Sequence, residues 1–141
     1  MIDQLRQKLD FVGTLEAIRS FHAKHPQVRA LLVEDKANGP SVISTLKNEI
    51  SGIIPVNPRA SKESRAAAVS PIIEAGNVYL PSPSLHPWIN DFIEECATFP
   101  GSRYSDQVDA LTQAVARFEE KKVIPLHVVI PDLYKQSLWH N

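Results

Sequence analysis

A chain of 141 residues with 43% hydrophobic and 22% charged residues has the composition of one ordinary globular domain, long enough to bury a core. A formal net charge of −1 excludes a globally basic nucleic-acid binder, so any DNA contact must come from a local group of Lys and Arg. No apolar run reaches the ~20 residues of a bilayer span, the first ten residues are too polar for a secretory signal, and the single Cys96 excludes an internal disulfide framework; no membrane partner is expected, and the cytoplasm is the expected compartment.

The opening decapeptide, MIDQLRQKLD, is ambiguous, since its residue types prefer helix while IDQLRQKL can alternate as an exposed edge strand. Val12, Leu15, Ile18 and Phe21 then recur at helical spacing up to Pro26, predicting a helix over about 12–24. The short apolar run VRALLVED predicts a buried strand over about 28–34. GPSVISTLKNEISG places Pro40 at a helix start, Val42, Ile43, Leu46 and Ile50 on one stripe, and Gly52 as the stop. IIPV is a second short strand.

The polar loop NPRASKES leads into the alanine-rich helix KESRAAAVSPIIEAG, in which Pro71 is expected to kink the helix or split off its last turn. NVYLP is expected to form a third short strand. After the stiff loop PSPSLHP, Trp88, Phe92, Ile93 and Cys96 recur at helical spacing, and PGSRY turns the chain into a helix with Val108, Leu111, Val115 and Phe118 inward. The tail VIPLHVVIPDLYKQSLWHN holds one plausible strand around 126–130. Eleven prolines punctuate these segments. Strands alternating with helices imply an α/β layered fold with a largely parallel sheet, organised as a patterned domain over 1–122 and a C-terminal strand and tail over 123–141.

Two groups of acids attract attention. Glu34 and Asp35 end a buried strand, and in parallel α/β sheets ligands sit outside the carboxyl ends of the strands; the bland alternative is a strand that has simply reached water. Asp106 and Asp109 lie three apart, on one face of a first helical turn, where acids also offset the helix dipole for purely structural reasons. Asp109 is flanked by Val108 and Ala110, where a free carboxylate costs stability unless paired or bound. If the helix packs on the sheet, the two groups meet, and a crowded set of carboxylates is relieved by a divalent cation such as Mg²⁺. Lys36, Lys62, Arg65 and Arg103 stand where they could hold a phosphate strand, although each alone is ordinary surface charge. The five histidines show no zinc-ligand spacing, and no Gly-rich phosphate loop is present.

Four blocks in order, VEDKANGPSVISTLKNEI, KESRAAAVSPIIEAGNVYLP, WINDFIEECATFP and YSDQVDALTQAV, resemble the C-terminal nuclease domain of tailed-phage terminase large subunits, over about residues 10–118. The resemblance implies an RNase H-like fold with a mixed, mostly parallel sheet and a Mg²⁺- or Mn²⁺-dependent endonuclease that cuts concatemeric double-stranded DNA during packaging in the bacterial host cell. It implies as partners the terminase ATPase domain, the small terminase or the portal. By the same resemblance Glu34, with Asp35 as its neighbour, matches the strand-end acid, Asp106 the second aspartate of the family's DDxxDA pattern and Asp109 its last. Ser105 stands where the family usually has a first aspartate. The family's first strand and its aspartate fall ahead of residue 1, and neither Asp3 nor Asp10 sits in a convincing central strand. An unpaired sheet edge and self-association through it are therefore expected, and the alternative to a nuclease is a non-catalytic, prophage-derived domain that keeps the fold and its DNA or packaging contacts.

Overall fold

The computed structural model describes residues 1–122, so the strand expected around 126–130 and the rest of the tail over 123–141 lie outside the described residues. Five helices and two strands follow in the order α1 (Phe11–Lys24), β1 (Leu31–Glu34), α2 (Gly39–Leu46), β2 (Ile53–Val56), α3 (Lys62–Glu74), α4 (Trp88–Thr98) and α5 (Asp106–Lys122). Local chemistry sets most of these ends. Asp10 caps α1, its Oδ1 accepting the Gly13 N–H at 2.7 Å. Ser61 caps α3 through the Ser64 N–H at 3.2 Å. Pro40 occupies the first turn of α2, where its missing N–H has no partner to lose.

β1 and β2 pair in parallel, with Leu31 opposite Ile53 and Glu34 opposite Val56, and α2 forms the crossover that a parallel pair requires. The ladder is continued at both ends by Leu31 N–H to Gly52 O at 2.9 Å and Asp35 N–H to Val56 O at 2.8 Å. Gly52 makes the return possible: its φ is +81°, and a Cβ there would stand 2.4 Å from the Arg29 carbonyl oxygen. Because the carbonyls of Gly52 and Val56 both face β1, alternate residues of β2 do so, and Pro55 faces the opposite edge, where a missing donor breaks no bond of this ladder.

Alternation along the strands divides the side chains between two faces. Leu31, Val33 and Ile53 pack against a core of Leu15, Val42, Leu46 and Ile50, supplied by α1, α2 and the turn after it. Leu46 is fully buried, and truncating such a leucine typically costs about 2–5 kcal/mol. Leu32 and Ile54 lie toward α3 and α5, across a cavity that they line with Val69 and Thr112. α3 and α4 both pack on α5.

Several expectations are corrected. Residues 1–10 form neither helix nor strand. Its polar groups anchor it instead, through Asp3 to Lys24 and His25, Gln4 to Gln107 and Arg6 to Glu95. NVYLP is not a strand: two strands make up the sheet among the described residues. β1 begins at Leu31 rather than 28 because its partner begins at Ile53. α3 is one helix through Pro71 to Glu74, so the proline does not split off its last turn. Val12 and Ile93, which fall on the helical repeats, and Phe118, expected inward, are exposed, and α4 buries Ile89 and Glu95 beside the expected Phe92.

Candidate functional site

Glu34 is the last residue of β1 and shares the face of Leu32, so alternation aims it toward α5 rather than toward the α1 and α2 side. Its carboxylate accepts a long bond from Gln113 Nε2 at 3.4 Å and lies 3.6 Å from Lys36 Nζ. Backbone packing fixes the strand end as well. A Cβ on Gly39 would fall 1.8 Å from the Glu34 carbonyl oxygen, so the start of α2 comes this close to β1 only because residue 39 has no side chain.

Asp106 and Asp109 open α5, and with Glu34, Gln113 and Arg117 they line one groove of about 920 Å³. Two acid groups more than 70 positions apart in the chain thus share one concave surface, as the strand-end and helix-start positions suggest. The rest of the groove is mostly apolar, with Leu31, Leu32 and the exposed ring of Phe118 among its walls, and Gln27 and Arg29 also line it.

The carboxylates in this groove are not equivalent. Asp109 is largely buried and gripped from two sides by α3: Lys62 Nζ stands 2.5 Å from its Oδ2, and Arg65 Nη2 donates to its Oδ1. Lys62 also donates to Ser105 Oγ at 2.7 Å, and Arg65 Nη1 to the Ala60 carbonyl at 2.7 Å. The cost of a carboxylate between Val108 and Ala110 is met by two cations. Lys62 and Arg65, expected to receive a phosphate strand, here hold Asp109, and only Lys62 keeps substantial exposure. Glu34 and the exposed Asp106 remain open to the groove.

The other expected residues fall elsewhere. Asp35 is exposed, lies outside the groove and contributes its backbone N–H to the sheet. Lys36 lies beside Glu34 and donates to the Pro58 carbonyl at 3.4 Å. Arg103 stacks over the Tyr104 ring, 5.2 Å from its centroid. Asp3 is taken by Lys24 at 2.6 Å and His25 at 2.8 Å, contacts that hold its carboxyl well below the usual range, and Asp10 is taken by its capping role. The half-buried Cys96 has its thiol pushed up by burial and, to a smaller extent, by Glu95, which disfavours the thiolate. Among the described residues, no three His, Cys, Asp or Glu side chains gather closely enough to hold a metal ion. No helix among them is long and apolar enough to cross a membrane.

Sequence periodicity alone misses the buried Glu95. Its two oxygens accept the Gln107 backbone N–H at 2.8 Å and the Gln107 Nε2 at 2.6 Å, and Arg6 Nη2 lies 3.2 Å away. A side chain of α4 thereby caps the second residue of α5 and fixes the helix end that carries Asp106. Gln113 and Arg117 carry a further signal: residues 109, 113 and 117 follow one another at intervals of four, which sets all three on one helix face.

A family model described as the terminase RNaseH-like domain matches residues 1–118. No curated protein and no solved structure matches the chain.

Proposed function

Because the chain belongs to the terminase RNaseH-like domain family, we propose that it works as the nuclease domain of a phage packaging terminase, cleaving concatemeric double-stranded DNA with the help of Mg²⁺ or Mn²⁺. The observation that carries this reading is that Glu34 and Asp106 line one groove at the carboxyl end of a parallel strand. Mg²⁺ takes one or two carboxylates together with water and phosphate oxygens, so an open pair of hard oxygen donors fits one such ion better than a closed protein cage would.

Glu34 and Asp106 would hold the ion, and bound there it would supply charge neutralisation and an acidified water. The chain's own contribution is placement. Gly39 lets the Glu34 strand end sit against α2, and Glu95 fixes the first turn of α5. Lys62 and Arg65 tie α5 to α3 through Asp109, one helical turn from Asp106. Gln113 holds the Glu34 carboxylate from the side. Double-stranded DNA is the proposed substrate, and the ATPase, small terminase or portal components are proposed partners.

A second reading has its own support: a non-catalytic domain that keeps the fold and its contacts without cutting. It is favoured by the neutralisation of Asp109 between two cations, which leaves fewer free acids than a two-ion centre normally uses. A plasmid-nicking assay in Mn²⁺ separates the two. Cutting by the native chain that is abolished in both Glu34→Ala and Asp106→Ala supports the nuclease, whereas equal inactivity of all three proteins supports the non-catalytic domain.

A further inference from the structure

A second cavity, of about 420 Å³, lies between the end of β2 and the pair of helices α3 and α5. It contains two guanidinium groups, from Arg65 on α3 and Arg117 on α5, together with the amides of Asn57 and Gln113. Among the described residues the Nε atoms of both arginines are buried without a hydrogen-bond partner. A charged donor left in that state is costly, so the two guanidinium groups are not fully engaged by the described protein. Among the described residues Arg117 is otherwise engaged by a long contact to Glu120, Nη1 to Oε2 at 3.4 Å. Glu120 is also the one acid lining this cavity, against two arginines.

Leu32, Gln113 and Arg117 line both this cavity and the groove that holds Glu34 and Asp106, so the two spaces share a wall. Arg117 lies three helical turns beyond Asp106, about 16 Å along the axis of α5. That separation exceeds the axial spacing of about 3.4 Å between successive phosphates of a DNA strand several times over. A group bound at Arg117 is therefore distinct from a phosphate facing Asp106, at the far end of the groove wall that α5 supplies.

We infer that Arg117, assisted by Arg65, forms a phosphate-binding subsite that takes a backbone phosphate of duplex DNA several nucleotides from the one facing Asp106. The planar guanidinium with free N–H donors suits a phosphate, which accepts paired bonds, better than an ammonium would. Arg65 bonds Asp109 through Nη2 and the Ala60 carbonyl through Nη1, and its side chain lines the cavity beside Arg117. This subsite rests on the nuclease reading for its source of phosphate, and its test measures binding without cutting.

The experiment follows the anisotropy of a labelled duplex in EDTA, together with broadening of the inorganic phosphate ³¹P signal, for the native chain and for Arg117→Gln, Arg117→Lys and Glu120→Gln. Arg117→Gln is expected to weaken duplex binding about 5- to 10-fold, to lower the slope of log affinity against log salt by about 0.9, and to abolish phosphate broadening. Arg117→Lys should keep the slope and recover only part of the affinity. Glu120→Gln, which removes the competing acid, should leave binding unchanged or tighter, and weakening by it equal to that of Arg117→Gln would assign Arg117 to an ion pair and overturn the subsite. Unchanged affinity, slope and phosphate broadening in Arg117→Gln, with the same melting temperature as the native chain, also overturn it while leaving the nuclease reading standing. Phosphate broadening that depends on Arg117, in a native chain that does not bind duplex, would keep the subsite and count against the nuclease reading instead.

Discussion

The Glu95 carboxylate accepts the backbone N–H of Gln107 at 2.8 Å, in a setting where both residues are buried. This bond joins the middle of α4 to the first turn of α5, and the second Glu95 oxygen takes the Gln107 amide. Replacing Glu95 by Ala leaves a buried N–H and a buried amide without acceptors and strips Arg6 of its counter-charge. The expected loss is about 2–3 kcal/mol of folding stability, measured as a fall in the urea midpoint at constant m-value. A change below about 0.5 kcal/mol would show that water replaces the carboxylate and that α5 is not held from α4.

The groove acids divide by their partners, and stability measurements should reproduce the division. Asp109→Ala removes the shared counter-charge of Lys62 and Arg65, the latter mostly buried, and is expected to cost about 3 kcal/mol. Glu34→Ala and Asp106→Ala remove exposed or weakly bonded carboxylates and should each change stability by less than about 1 kcal/mol. Denaturation of the three variants side by side gives the answer. Equal costs for all three would mean that Asp109 is as free as the other two.

How much of this was legible in advance depends on the range of the interaction. The pairing need of Asp109 could be read from its apolar neighbours, and the sharing of one groove by Glu34 and Asp106 from a strand end and a helix start in an α/β pattern. The identity of the Asp109 partners could not, because Lys62 and Arg65 lie more than 40 positions away and look like ordinary surface cations. Glu95 reads as solvated helix charge until α5 is laid across it. NVYLP carries strand-forming residues yet forms no strand, since strand preference expresses packing against neighbours and no described strand lies beside it.

Gly39 offers a test of how the Glu34 strand end is held. An alanine there would drive its Cβ into the Glu34 carbonyl, 1.8 Å away, and backbone cannot swing aside as a side chain does. Gly39→Ala is expected to lose about 1–3 kcal/mol and to shift the amide resonances of residues 33–35 more than those of α4. An unchanged spectrum around Glu34 would show that α2 does not set the position of the strand end.

Acid titration probes the anchoring of residues 1–10. The Asp3 carboxyl is lowered from its ordinary value of 3.8, first by the hydrogen bond from Lys24 and then by that from His25. A lowered carboxyl in the folded chain contributes stability that is complete above its ordinary value and fades as the pH falls through its folded value. Asp3→Asn should therefore lower the urea midpoint most near pH 6, and the gap to the native chain should narrow below about pH 4. A gap that widens in acid would have the wrong sign for this pairing.

Pro55 gives the two-stranded sheet a direction of growth. On the outer side of β2 the pyrrolidine ring offers no donor to a newcomer, so a third strand laid there would begin with a gap in its bonding. The flank of β1, where Leu32 and Glu34 turn their peptide groups away from β2, carries no such interruption. Any extension of the sheet, from this chain or from another, is steered to the flank that ends in Glu34, and whatever docks there arrives beside the groove acids rather than behind them.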